Sequence, residues 1–271
     1  MEYAWFNADN HVLLEKFLFK NYCCLHSSEL NGMHLYIGTS GWSYDWNPDG
    51  FDWYIKNSNL NSVELNASFY RFPFPNMISS WNRKSPHGFR WAIKVNRLVT
   101  HASRFGERAV DYWTQFKALF EAMDEKIDFF LFQLPPSSTP TPSFVDRLEE
   151  FIAQVKLGQR FALEYRNIKW FDDDWYHWAD GQNITLVSTD SPDFPNRILN
   201  VSGLVYLRMH GRTSWYTHRY TNEELKEIAS RIRQTDPKKI YIFFNNNHNM
   251  LDNARSMKET LSYSFIIPPC W

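Results

Sequence analysis

Short runs dense in Val, Ile, Leu, Phe and Tyr recur along the chain, separated by stretches of helical character. Eight such runs are readable: LYIGTSGW (35–42), SVELNASFY (62–70), FRWAIKVNR (89–97), FFLFQLPP (129–136), RFALEYRN (160–167), ITLVSTDS (184–191), LVYLRMHG (204–211) and KIYIFFNNN (239–247). Strands alternating with helices make βαβ units and a parallel sheet, and eight of them predict a closed (β/α)8 TIM barrel. The clearest connecting helices fall at 107–123, where Val110, Trp113, Phe116, Leu119 and Phe120 recur at helical spacing, and at 143–155, 222–233 and 250–262. Thr221 followed by Glu224 is a capping box at the start of the third of these. The link PDFPNRILNVSG between the sixth and seventh runs is short and broken by proline, so one barrel position is expected to lack a full helix. A single barrel domain is expected over 34–271. Residues 1–33 form an extension in which HVLLEKFLFK predicts a short amphipathic helix packed on the barrel.

Along a parallel barrel strand, one parity faces the surrounding helices and the other faces the interior. Polar residues sort by that parity here. Glu64 shares a side with Asn66 and Ser68, Lys94 with Asn96, Glu164 with Arg166, Arg208 with His210, and Asn245 with Asn247. Most lie late in their runs, at the C-terminal mouth where catalytic groups of such barrels come from several strand ends. An ionised carboxylate among apolar strands needs a partner, and Glu64 is expected to face Lys94 on the adjacent strand. Three acids (Glu64, Glu164, Asp190) and three bases (Lys94, Arg166, Arg208) can neutralise one another as an internal network. Apolar replacement of such a network is often neutral or stabilising, so stability alone explains six charges poorly and a ligand pocket is the favoured expectation.

Charge adds a second hint. The 271-residue chain carries a formal net charge of -1, but between Arg71 and Arg108 eight Lys or Arg face one acid, Glu107. Such segregation focuses anions toward one face, or else forms a solvated basic rim. Cys23, Cys24 and Cys270 offer neither a paired framework nor metal-ligand spacing, which fits free thiols and a reducing compartment. No run approaches the roughly 20 apolar residues of a membrane span, and the N-terminal residues lack the layout of a secretion signal. A cytoplasmic monomer is the expectation. No glycine-rich phosphate loop, nucleophile elbow or CxxC pair appears, which argues against nucleoside triphosphatase, serine hydrolase and thiol-redox chemistry.

The blocks YIGTSGWSY, VELNASFYRFP, FRWAIKVNRLVTH, FQLPP, LEYRNIKWF, LRMHGR with the following WYTHRY, and FFNNN with DNA at Asp252 to Ala254 resemble the YecE-like family. That family is catalogued as domain of unknown function 72, and its members are TIM barrels. The resemblance spans 35 to about 262 and implies the same fold. The resemblance also implies, as the family's usual pattern, an Asp or other polar residue where Asn247 stands and often a His where Asn167 follows Arg166. These departures remove an acid or imidazole group that the pattern would offer at the mouth.

Candidate chemistry follows from these residues. An anionic, phosphate-bearing substrate would be bound by Arg71, Lys94, Arg166, Arg208 and Arg212, with Gln133, Asn245 and Asn247 reaching inward and Gly211 and Thr213 supplying donors in the loop after the seventh strand. Glu164 or Glu64 would act as general base, Lys94 and Asp190 are further catalytic candidates, and His210 would be an acid or ligand. Glu164, Asp190 and His210 end three consecutive strands and form a candidate set for Mn, Mg or Zn. A non-catalytic alternative is a module for single-stranded nucleic acid or a phosphorylated metabolite. In it, Arg212, His218 and Arg219 contact the backbone while Trp215, Tyr216 and Tyr220 stack on bases. Paired carboxylates with aromatic platforms also describe glycosidases, a third class. Trp42, Trp46, Trp81 and Trp113 are expected to be core.

Overall fold

A computed structural model describes residues 29–30 and 32–266, and all eight expected strands are present in it. They are β1 (Met33–Thr39), β2 (Ser62–Leu65), β3 (Arg90–Lys94), β4 (Ile127–Gln133), β5 (Phe161–Glu164), β6 (Thr185–Asp190), β7 (Leu204–Met209) and β8 (Lys239–Phe244). Each pairs in parallel with the next, and β1 pairs in parallel with β8, from His34 opposite Lys239 to Thr39 opposite Phe244. The sheet is therefore a closed TIM barrel. A two-residue strand, Glu29–Leu30, adds to β1 in antiparallel fashion.

Among the described residues, seven α-helices surround the barrel: α1 (Gly50–Asn57), α2 (Pro75–Lys84), α3 (Ala109–Leu119), α4 (Pro142–Val155), α5 (Asp173–Gly181), α6 (Asn222–Gln234) and α7 (Met250–Ile266). The four expected helices are α3, α4, α6 and α7. Helices α2 and α4 open on proline, whose fixed φ suits the first turn. Helix α6 opens on the Thr221–Glu224 capping box, with both reciprocal hydrogen bonds in place. No helix bridges β6 and β7, as the prolines at 192 and 195 require. None of the described helices is long and apolar enough to cross a membrane. The expected helix in the N-terminal extension and all three cysteines lie outside the described residues.

Two apolar layers result. Outward parities such as Leu163, Leu207 and Ile242 pack under the helices together with Trp81 and Trp113. The expectation of core tryptophans holds for Trp42, Trp81 and Trp113, while Trp46 is only partly buried. A smaller cluster fills the barrel itself: Ala92, Phe129, Leu131, Ala162, Val187, Leu204, Tyr206, Tyr241 and Phe243, with Tyr36 against it. At the N-terminal end, Tyr36 stacks on Tyr241, whose hydroxyl donates to Asp128, itself paired with Arg90. The barrel is thus plugged at one end and polar at the other. Gly38 sits where β1 and β2 come closest, since a Cβ there would lie 2.2 Å from the Ser62 carbonyl oxygen.

Candidate functional site

The strand parity that keeps Leu163 and Leu207 against the helices turns Glu64, Lys94, Glu164, Arg208 and His210 into the barrel. Arg208 is fully buried and bridges two equally buried carboxylates. Its Nε and Nη2 donate to Glu64 at 2.9 and 2.6 Å, and its Nη1 donates to Glu164 Oε2 at 2.5 Å. Glu64 also accepts from the Ser40 hydroxyl at 2.7 Å and the Tyr206 hydroxyl at 2.8 Å. Burial and then the Glu64 charge push the Tyr206 phenol well above its ordinary value, so it stays a donor. The expected Glu64–Lys94 pair is replaced by this arrangement. Glu64 is in register with Ala92, which leaves Lys94 one interior layer nearer the mouth, and Glu64 reaches across the barrel to β7 instead.

Glu164 gathers the second half. Gln133 Nε2 donates to Oε2 at 2.9 Å, and Arg166 Nε approaches Oε1 to 2.7 Å as an ion pair, without hydrogen-bond alignment. His210 Nε2 lies 3.0 Å from Oε1, while its Nδ1 lies 3.2 Å from the Asn245 amide nitrogen. Arg166 Nη2 and Arg208 Nη1 also face Nε2, at 3.1 and 3.3 Å. The tautomer protonated on Nε2 serves Glu164 and Asn245, while the one protonated on Nδ1 serves the two guanidiniums. Burial works to raise the Glu164 carboxyl, but the Arg166 and Arg208 guanidiniums outweigh it and hold it well below the usual range. For His210, burial and the same two guanidiniums push the imidazole well below its ordinary value, so it is neutral. Every oxygen of the two carboxylates is occupied, so neither carboxylate is free to accept a further proton without giving up a donor.

Lys94 is different. Its residue is 9% exposed, and no carboxylate among the described residues lies within ion-pairing distance of its Nζ, which sits 4.3 Å above the Phe69 ring. Burial, then repulsion from Arg208, lowers its pKa to about 7, with Glu164 and Glu64 opposing. Phe69 stacks edge-on against His101, which lies in a five-residue π-helical turn, Leu98–Ala102. Such turns are frequent at functional sites. Burial, Lys94, Arg97 and Arg166, in that order, push His101 down to about 4. Two polar atoms at this end of the barrel, Asn66 Oδ1 and Thr189 Oγ1, are buried without a hydrogen-bond partner among the described residues. Left-handed backbone at Arg104, Phe105 and Tyr216 marks the same end, and non-glycine residues there store strain.

Other candidates go elsewhere. Asp190 has the parity of Leu186 and Ser188, opposite to the interior Val187, and its carboxylate is held by Arg212 and the Tyr220 hydroxyl at 3.0 and 2.8 Å. The set Glu164, Asp190 and His210 is therefore not brought together, and no group of three or more His, Cys, Asp or Glu among the described residues is placed to hold a metal ion. Arg212 also pairs with Glu227, so two carboxylates answer its charge. Tyr220 is buried against Phe244, which corrects its expected role in base stacking. Tyr216 is exposed and meets the His210 ring edge-on at 5.7 Å. Beside it, Trp215 carries the Arg166 guanidinium on its face at 4.7 Å. Asn247 does not continue the inward row. β8 ends at Phe244, Asn247 adopts a left-handed φ of 53°, and Asn246 is the buried member, donating to the His218 carbonyl. Arg71 is exposed and lines an adjoining groove of about 420 Å³ with Trp42, Phe74 and Met77.

Sequence reasoning missed Ser40, Tyr206, Phe69 and His101. Tyr206 carried a signal, since it shares parity with Arg208 and His210. The other three sit in loops beyond strand ends, where parity no longer holds.

The sequence model of the family described as "Protein of unknown function DUF72" matches residues 36–266. The UPF0759 protein YunF of Bacillus subtilis is 24% identical over 255 residues, covering 78% of this chain and 88% of its own. The UPF0759 protein YecE of Escherichia coli is 24% identical over 141 residues, about half of each chain. Among solved structures, a DUF72 family protein from Thermotoga maritima superposes with a TM-score of 0.76 at 26% identity, covering 84% of this chain and 98% of its own. A xylose isomerase domain containing protein from Salmonella typhimurium shares the fold at a TM-score of 0.54 and 10% identity, covering 87% of this chain and 97% of its own.

Proposed function

The chain belongs to the DUF72 family of TIM-barrel proteins, and on that footing we propose that it is an enzyme acting on a small anionic, phosphate-bearing substrate at the C-terminal mouth of its barrel. The observation that carries this is the charge left over. Arg208 and Arg166 satisfy Glu64 and Glu164, and Lys94 remains as a buried cation without a carboxylate among the described residues. A buried charge without a partner is costly, so such a site is poised for an anion or for a neutral amine. Arg166, Gln133 and Asn245, all partly exposed, would bind the anionic group, and Asn66 Oδ1 would accept from a substrate hydroxyl. Glu64, Glu164 and His210 then act as positioning groups that fix the arginines. Hydrolysis would require one of those carboxylates to release a donor first, which favours Lys94 as the group that would do the chemistry.

A second reading, docking of single-stranded nucleic acid, is favoured by Tyr70 and Phe74, which are 73% and 59% exposed beside Arg71. One titration separates the two. Inorganic phosphate and a phosphorylated sugar should raise the melting temperature saturably, and Arg166→Met should abolish the shift. If only oligonucleotides bind, with a steep salt dependence that Arg166→Met leaves unchanged, the small-substrate proposal fails.

A further inference from the structure

We propose that Lys94 is a covalent catalyst whose amine forms a Schiff base with the carbonyl carbon of a phosphate-bearing aldehyde or ketone. This rests on the anionic-substrate proposal above and names its substrate class. Three features of the geometry support it. First, Lys94 ends β3 inside the barrel mouth, the position from which strand-end groups reach substrate. Second, its Nζ lies over an aromatic face and outside ion-pairing reach of the described carboxylates, so the nitrogen lone pair is not tied up in an ammonium–carboxylate pair. Third, burial and the nearby Arg208 and Arg166 guanidiniums favour the neutral amine, against the opposing charges of Glu164 and Glu64. The groups that bear on it are Arg208 from β7, Glu164 from β5, Glu64 from β2 and Arg166 after β5, and Lys94 in turn acts on His101 after β3. Desolvation and a neighbouring cation are the two recognised ways of activating a lysine nucleophile, and both are present. The lowered pKa of Lys94 agrees with this geometry.

The chemistry balances without any further reagent. The amine lone pair attacks the carbonyl carbon, a C–N bond forms, and the carbonyl electron pair moves to oxygen. The nitrogen loses a proton and the oxygen takes one up, giving a neutral carbinolamine. Uptake of one more proton from solvent lets the hydroxyl leave as water, and the C=N bond forms as a protonated imine. The positive charge then sits where the ammonium would have been, within the field of Glu64 and Glu164.

Borohydride trapping on the full chain tests this. Glyceraldehyde 3-phosphate with sodium borohydride at about pH 7 should add one reduced adduct per chain, mapped to Lys94 by peptide mass spectrometry. Labelling there should outpace the pooled remaining lysines by at least about tenfold, because an ordinary lysine is almost entirely ammonium at that pH. Unphosphorylated glyceraldehyde should label Lys94 several-fold more slowly, and inorganic phosphate should protect it. Lys94→Arg, which keeps the charge, and Lys94→Met should both remove the adduct. Label spread over other lysines with Lys94 unmodified would overturn the covalent role. If phosphate still raises the melting temperature in an Arg166-dependent way, that result leaves the anion site standing. Absence of both adduct and phosphate shift removes both proposals.

Discussion

At the scale of single residues, the barrel mouth contains a cation that is poorly matched to its surroundings. Lys94 is a buried amine with a folded pKa of about 7 against an ordinary 10.5. Below about pH 7 both folded and unfolded chains hold its proton, and the burial penalty is present in full. Between about 7 and 10.5 the unfolded chain holds a proton that the folded chain has shed, so stability rises with pH across that window. The penalty is on the order of a few kcal/mol. Lys94→Met removes it, so the variant should melt above the parent by about 5 °C near pH 6, with the gap closing toward about pH 10. Differential scanning calorimetry at several pH values reads this directly. A gap that is constant with pH would mean that Lys94 is an ordinary ammonium. A residue that lowers stability where the cell works is what a functional site retains and a purely structural one does not.

Among the elements, the loop after β7 holds the site together, and glycine makes it possible. Gly211 has φ +115°, and a Cβ there would fall 2.3 Å from the Ser214 carbonyl oxygen. Its N–H donates to the Tyr220 hydroxyl, which donates to Asp190, while the Tyr216 N–H returns to the His210 carbonyl at 2.6 Å. Gly211→Ala should therefore cost about 1–3 kcal/mol and abolish phosphate-induced stabilisation, with far-ultraviolet circular dichroism unchanged. Retained phosphate binding in that variant would show that the loop does not shape the site. The strands and the inward side of Glu64, Lys94, Glu164, Arg208 and His210 were legible in the sequence because a period of two fixes the face once the strand is known. Asp190 was misplaced by its late position alone, although its parity with Leu186 already pointed outward. The pairing of Glu64 with Arg208 was not legible, because it crosses the barrel between strands three places apart around the ring. The π-helical turn and the left-handed residues were not legible either, since tertiary contacts impose them against local preference.

For the molecule as a whole, the near-zero net charge conceals a directed one. Of the basic segment noted in the sequence, Arg90 is neutralised by Asp128 at the plugged end and Lys84 by Asp52 among the outer helices. Arg71, Arg97, Arg104 and Arg108 are exposed in the segments that follow β2 and β3, on the side of the mouth where Lys94 ends β3. Burial first, and then Lys94, Arg97 and Arg166, push His101 down to about 4, so three cations act on it from this side. A field of this kind raises the local concentration of anions, and salt screens it over a Debye length of about 10 Å at 0.1 M ionic strength and 3 Å at 1 M. Arg97→Glu combined with Arg104→Glu, both far enough out to leave the buried pairs intact, should weaken phosphate binding by roughly three- to tenfold at low salt. The loss should shrink to near nothing approaching 1 M salt, whereas Arg166→Met should weaken binding at every ionic strength because it removes a direct contact. Isothermal titration across a salt series distinguishes the two slopes. Equal losses at all salt concentrations for the rim pair would mean that those arginines touch the ligand, and no loss at any would mean that the mouth draws its anion by contact alone.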